Sequence, residues 1–312
     1  MKYYITIDGG TTNTRVHLVE DGRVTQSKKI SLGARDCMGG SDALKDAITK
    51  EIDNITLQKG IKPDDISAII ASGMITCEYG LCPLAHLVAP VGIEELHNGI
   101  HRVEGMFGAL GCCFIPGVKT APTDPMSADM MRGEEAEIVG LTSEGEGDAV
   151  YILPGSHTKH ILLDKSGKIS EIKTLLTGEM IAALAENTIL KGSVRLDLSD
   201  FDRESILSGY DTARERGLNT ALFKVRILKN LFSKSDLECY SFFLGAIMSA
   251  EIVELEKTGV SRAVIGGKAQ LRESLAHIIR ERTDMQVVTV EDARTECATA
   301  IGAVKIFEYT KG

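Results

Sequence analysis

Two stretches of this chain follow one plan, and that echo limits its possible folds more than any single motif. Residues 3–30, YYITIDGGTTNTRVHLVEDGRVTQSKKI, and residues 149–175, AVYILPGSHTKHILLDKSGKISEIKTL, share an order of parts. Each has a short apolar run, a corner rich in Gly and Ser/Thr, a second apolar run (16–19; 161–163), a charged turn with glycine, and a third strand-like run. The spacing agrees as well: Gly10 to Gly22 and Gly155 to Gly167 are both twelve residues. Downstream, residues 44–58 have helical periodicity and lead into IIASG, ending at Gly73; residues 242–257 do the same and lead into AVIGG, ending at Gly267. Each half therefore reads strand, strand, strand, helix, strand, the signature of a duplicated unit. The expected fold class is α/β, two lobes built from duplicated βββαβ units, with extra helices in the second lobe between about 176 and 241.

A chain of 312 residues exceeds what one hydrophobic core usually serves, in keeping with two domains. The expected division is 1–125 and 126–296, with a C-terminal helix, 297–312, returning to the first lobe. Between them, PGVKTAPTDP (116–125) carries three prolines and reads as a stiff, non-helical crossover and hinge.

Glycine lets backbone approach an anion closely, and successive amides in a turn make a nest for phosphate without side-chain charge. The two glycine corners are therefore candidate grips for a polyphosphate held in a cleft, with hydroxyls from Thr11, Thr12, Ser156 and Thr158 beside them. Asp8, closing the first strand, would repel phosphate unless a divalent cation lay between, which points to magnesium. Taken alone, D-G-G-T-T is an ordinary turn composition; its duplication is what gives it weight. Competing nucleotide signatures fail: a Walker loop at Gly267-Lys268 is broken by Arg262, and no G-x-G-x-x-G occurs.

Lys plus Arg is 35 against 44 Asp plus Glu, a net charge of -9, which disfavours a nucleic-acid partner. Seven cysteines at irregular positions, without C-x-x-C spacing, point to a reducing compartment. The N-terminus has no signal-peptide pattern and no run reaches 18 apolar residues, so a soluble cytoplasmic protein without a membrane partner is expected.

The segments IDGGTTNTR, DMMRGEEAEIVG, ILPGSHTKHILL, LLTGEMIAALAENTIL and FKVRIL closely resemble the 2-dehydro-3-deoxygalactonokinase family over nearly the whole chain. That family is similar in turn to the actin, sugar-kinase and heat-shock-chaperone superfamily, whose two ribonuclease-H-like halves parallel the duplication. The resemblance implies ATP and Mg2+ as cofactors and transfer of the γ-phosphate to the primary hydroxyl of a 2-keto-3-deoxy sugar acid. It makes Asp8, Gly9, Gly10, Thr11 and Thr12, with Asn13, the first phosphate loop, and Gly155, Ser156, His157, Thr158 and Lys159 the second. Gly266 and Gly267 would lie against adenosine. Other sugars or sugar acids, or an ATP-gated activator of the same superfamily, are the alternatives, and homo-oligomer assembly is left open.

Phosphoryl transfer needs one carboxylate to accept the hydroxyl proton. In SADMMRGEEAEIVG, Ser127 can cap a helix that sets Asp129, Arg132 and Gly133 on one face, so Asp129 is the first choice of base. Glu134 is the rival that the resemblance implies: in related sugar kinases the basic aspartate starts a comparable helix ending in a glycine, and counting back from Gly140 lands near 134. Arg132 could clasp a carboxylate or phosphate bidentately, or pair on the surface with Glu135 or Glu137. Where the family is expected to carry a Ser-Arg-Gln-Gly-like substrate segment, residues 72–83 read SGMITCEYGLCP, lacking that cation and amide; Thr76, Glu78 and Tyr79 stand there instead. His97 and His101, at i and i+4, read as part of an amphipathic helix, and Cys112-Cys113 as small buried hydrophobes.

Overall fold

The computed structural model describes residues 2–38, 40–108, 110–121, 125–142 and 148–311. The chain divides into two compact units: Met1–Gly147 with Asp164–Ile172 and Ala293–Gly312, and Asp148–Leu163 with Lys173–Asp292.

The first unit is built on three consecutive antiparallel strands, β1 (Tyr3–Gly9), β2 (Thr14–Glu20) and β3 (Arg23–Ile30). Helix α1 (Asp42–Lys59) buries Leu44, Ile48, Ile52 and Ile55, a stripe at helical spacing. It stops at Gly60, whose φ of 67° is left-handed, with Ile61 N–H donating to the Thr56 carbonyl. The chain then returns as β4 (Ile66–Gly73), parallel to β1. After β5 (Leu87–Val88) and α2 (Ile93–Asn98) come β6 (His101–Phe107) and β7 (Leu110–Phe114), completing a sheet of order β3-β2-β1-β4-β7-β6. Two short strands, β8 (Val118–Lys119) and β9 (Met130–Met131), pair with each other, β8 also with β5, and α3 (Glu134–Leu141) follows. Edge strand β3 alternates exposed and half-buried residues, its lysines Lys28 and Lys29 guarding the open edge.

The second unit repeats the plan with β10 (Ala149–Leu153), β11 (Thr158–Leu163) and β12 (Ile169–Leu175). The helices α4 (Thr177–Asn187), α5 (Arg203–Arg216) and α6 (Leu218–Phe232) occupy the expected insertion. Next comes α7 (Asp236–Glu256), opened by a Ser235/Glu238 capping box and almost wholly buried along its middle. Strand β13 (Arg262–Ile265) lies parallel to β10; α8 (Ala269–Arg282) and β14 (Gln286–Thr289) complete the sheet order β12-β11-β10-β13-β14. The last helix, α9 (Asp292–Glu308), belongs to the first unit and starts a turn earlier than the sequence suggested. The two βββαβ units are therefore both present.

Two expectations need correction. The helix foreseen from Ser127 begins only at Glu134. Asp129 instead takes the Met130 N–H on its own Oδ1, a local turn that competes with helix, and Gly133 has a φ of 116°, outside helical space. His97 and His101 do not share a helix, since α2 ends at Asn98 and His101 opens β6. Within the proline-rich crossover, Val118–Lys119 form a strand, while Pro122, Thr123 and Asp124 lie outside the described residues. Cys112 and Cys113 are buried free thiols in β7.

Candidate active site

The turn between β1 and β2 carries Asp8, Gly9, Gly10, Thr11, Thr12 and Asn13. Gly10 N–H donates to the Asn13 carbonyl at 2.8 Å, closing a tight loop. The carbonyls of Gly10 and Thr11 accept from Ala34 and Arg35 N–H at 3.1 and 3.0 Å, so the loop's acceptors are occupied. Gly33 permits this approach: a Cβ there would stand 2.5 Å from the Thr11 carbonyl oxygen. The exposed residues Thr11 and Thr12 keep amide donors for which no acceptor occurs among the described residues. Asp8 faces Arg15 across the β1–β2 ladder, with Arg15 Nη1 3.4 Å from its Oδ2. Burial pushes the Asp8 carboxyl up, and Arg15 partly offsets that.

The corresponding β10–β11 turn holds Gly155, Ser156 and His157, with Thr158 and Lys159 opening β11. The first turn of α4 docks on it: Glu179 N–H donates to the Ser156 carbonyl at 3.1 Å, and His157 Nε2 lies 2.9 Å from Glu179 Oε1. The LLTGEM and PGSHTK motifs, far apart in sequence, thus form one surface of the second unit. Lys159 is buried and donates to Thr174 Oγ1 at 2.7 Å, so its ammonium runs along the sheet rather than standing in the turn. Gly266 follows β13 and donates to the Ile152 carbonyl at 2.9 Å; Gly267, at φ 73°, lies against Pro154.

In the first unit, the DMMRGEE motif converges on the segment that departs from the family pattern. Arg132 Nη1 donates to Thr76 O at 2.8 Å and Oγ1 at 2.6 Å, and Nη2 to Leu84 O at 3.0 Å. Nη2 also lies 3.1 Å from His86 Nε2. Burial, then the charges of Arg132 and Lys119, bring the His86 pKa down to about 4, leaving a neutral ring beside the guanidinium. Arg132 therefore holds the 76–86 segment in place, while Glu78 and Tyr79 are exposed.

Behind it, three glutamates crowd the first turn of α3. Glu134 Oε2 accepts from Arg132 N–H at 3.0 Å, and both oxygens of Glu135 accept from Gly133 N–H at 2.8 Å. Glu135 is wholly buried, correcting the surface-pair alternative for Arg132. Burial first, then Glu134, pushes its pKa up to about 8. Glu137 is likewise raised to about 8 by burial, Glu134 and Asp8, which brings α3 and the first glycine turn into one electrostatic group. Sequence reasoning missed the roles of Arg15, His86, Glu135 and Glu137. For the glutamates a signal existed, because in EEAEIVGL the acids share the helix with the apolar positions Ala136 and Ile138.

Two glycine-turn βββαβ units, each with a parallel return strand, define the class by architecture: the actin-like ATPase fold. A solved structure assigned as a 2-dehydro-3-deoxygalactonokinase from Sinorhizobium meliloti superposes with a TM-score of 0.79, covering 98% of this chain and 100% of that one at 20% identity. The activator of the 2-hydroxyisocaproyl-CoA dehydratase from Clostridium difficile with bound ADPNP has a TM-score of 0.51, 12% identity, and covers 96% and 92% of the two chains. In sequence, the 2-dehydro-3-deoxygalactonokinase of Escherichia coli K12 is 24% identical over 257 residues, 81% of this chain and 80% of that protein. The 2-keto-3-deoxy-galactonokinase family model matches residues 8–305, and the chain belongs to that family. It is a phosphotransferase acting on an alcohol group of a carbohydrate, with ATP as donor. No helix among the described residues is long and apolar enough to cross a membrane.

Proposed function

We propose that the protein transfers the γ-phosphate of ATP to the primary hydroxyl of 2-dehydro-3-deoxy-D-galactonate, giving the 6-phosphate. The observation that carries this reading is the family match across residues 8–305, which takes in both glycine turns and the DMMRGEE segment. The activator alternative wants exposed bridging cysteines, whereas Cys112 and Cys113 are buried.

In this reading the amides and hydroxyls of Thr11 and Thr12 bind phosphate oxygens, as does the backbone of Gly155, Ser156 and His157, while Thr158 is wholly buried in β11. Asn13 supports the first loop, and Gly266 and Gly267 border the adenosine. Lys159 supports the second loop from within the sheet. Among the described residues no three His, Cys, Asp or Glu side chains are grouped to hold a metal. Mg2+ is commonly held by one or two carboxylates together with water and phosphate oxygens. Asp8 is the ligand proposed: burial raises its carboxyl, its charge helps to raise Glu137, and a cation would favour the ionised form of both. When bound, Mg2+ neutralises charge on the transferring phosphoryl group.

Arg132 positions the substrate segment, its fork spanning Thr76 and Leu84. For the base we now favour Glu134 over Asp129. The shared helix face that first recommended Asp129 is absent, and Glu134 opens α3 in the electrostatic group that includes Asp8. A coupled ADP assay over 2-keto-3-deoxy acids and neutral ketoses, with and without Mg2+, tests the reaction. Release of ADP only with the galactonate-type acid is expected, and an ATPase rate indifferent to every acceptor would overturn it. Glu134→Gln should lower kcat by about 100-fold or more while leaving ATP affinity near wild type. Full turnover in Glu134→Gln with loss in Asp129→Asn would move the base to Asp129.

A further inference from the structure

Within the first unit, away from the glycine turn, a cavity of about 1070 Å³ opens between the β2–β3 turn, α2, the C-terminal end of α3, the 164–168 turn and α9. Its floor is apolar, with Val91, Leu96, Ile138, Ile169, Ala298 and Ile301 among its residues. Its acids are already matched: Glu94 to Lys311, Glu95 to Lys168 and Glu308 to Lys2. Its bases are in surplus. Arg23, opposite Glu20 in the β2–β3 ladder, makes no ion pair with an acid among the described residues, and the one side-chain hydrogen bond of Lys305 among them is to the Val139 carbonyl at 3.4 Å. An apolar floor with unmatched cations at the mouth suits a ligand that is apolar at one end and anionic at the other.

We propose that this cavity is a second, regulatory binding site for a small organic anion with an apolar body, an alkyl or aryl carboxylate or sulfonate, its acidic group between Arg23 and Lys305. Two features connect the cavity to the chemistry. Helix α3 carries Glu134, Glu135 and Glu137 at one end and contributes Ile138, Val139 and Gly140 to the cavity at the other. It is also locked to α9, since Gly140 and Gly302 let the two helices touch backbone to backbone. A ligand wedged against both helices shifts the proposed base. This last step rests on the kinase reading; the binding site itself does not.

The test uses 8-anilino-1-naphthalenesulfonate as probe with the full chain. Saturable fluorescence at one site per chain, undiminished by saturating ATP and displaced by decanoate, is expected. Arg23→Glu and Lys305→Glu, both exposed positions outside the proposed active site, should weaken binding about tenfold or more with unchanged far-ultraviolet circular dichroism and basal kcat. Ile301→Glu should abolish it. Binding that is unsaturable, competes with ATP, or is equal in the wild type and the charge variants overturns the site. A kcat unmoved at saturating probe, with binding intact, overturns the coupling through α3 alone.

Discussion

Replacing Glu135 by glutamine should flatten the dependence of stability on pH. The Glu135 carboxyl is held up to about 8 in the folded chain, against 4.5 as its ordinary value, first by burial and then by Glu134. A raised carboxyl keeps its proton in the folded state while the unfolded chain gives it up. Its contribution is therefore complete below the unfolded value and is lost progressively as pH rises through the folded one. In between, one such group changes stability by at most about 1.4 kcal/mol per pH unit, or a ceiling of about 5 kcal/mol over the interval. Glu137 is raised to about 8 as well, with the same sign, and the charge of Glu134 acts on both. Glutamine retains an oxygen for the Gly133 N–H and cannot ionise. The loss expected in Glu135→Gln is about one proton's share of the slope, the remainder being that of Glu137. Urea midpoints at intervals from pH 5 to pH 8.5 would measure it, with the wild type falling more steeply than the variant. Parallel curves would refute the reasoning, because they would mean that Glu135 is ionised inside the fold throughout.

Gly302→Ala should destabilise by about 1–3 kcal/mol or more, since its Cβ would stand 1.8 Å from the Ala136 carbonyl oxygen and force α3 from α9; calorimetry should find the melting temperature lowered by several degrees. Arg132→Lys loses the two-pronged clasp on Thr76 and Leu84, and the sugar-acid KM should rise about tenfold with the ATP KM nearly unmoved. Wild-type kinetics in that variant would separate Arg132 from the substrate segment.

Much of the scaffold was readable because its cues are local. Helix α1 announces itself by Leu44, Ile48, Ile52 and Ile55 and by the glycine that stops it, and the three-strand runs by alternation and turn residues. The glycine corners fell at strand-to-strand turns for the same reason. The helix expected from Ser127 failed on equally local chemistry, the Asp129 turn and Gly133, which periodicity does not weigh. The role of Arg132 was open for a different reason: a guanidinium can meet a ligand, a neighbouring acid or a distant carbonyl, and the sequence does not rank them.

From the chain of letters alone came the duplication, the order of elements and the family, since repeated patterns of apolar residues and glycines survive without any knowledge of who meets whom. Folding alone decided that Glu135 loses water and keeps a proton, that Arg132 spends its donors on residues 76–84, and that α3 and α9 meet through glycines. Those outcomes depend on desolvation and on contacts between residues as far apart as Ala136 and Gly302, quantities that no spacing in the sequence encodes.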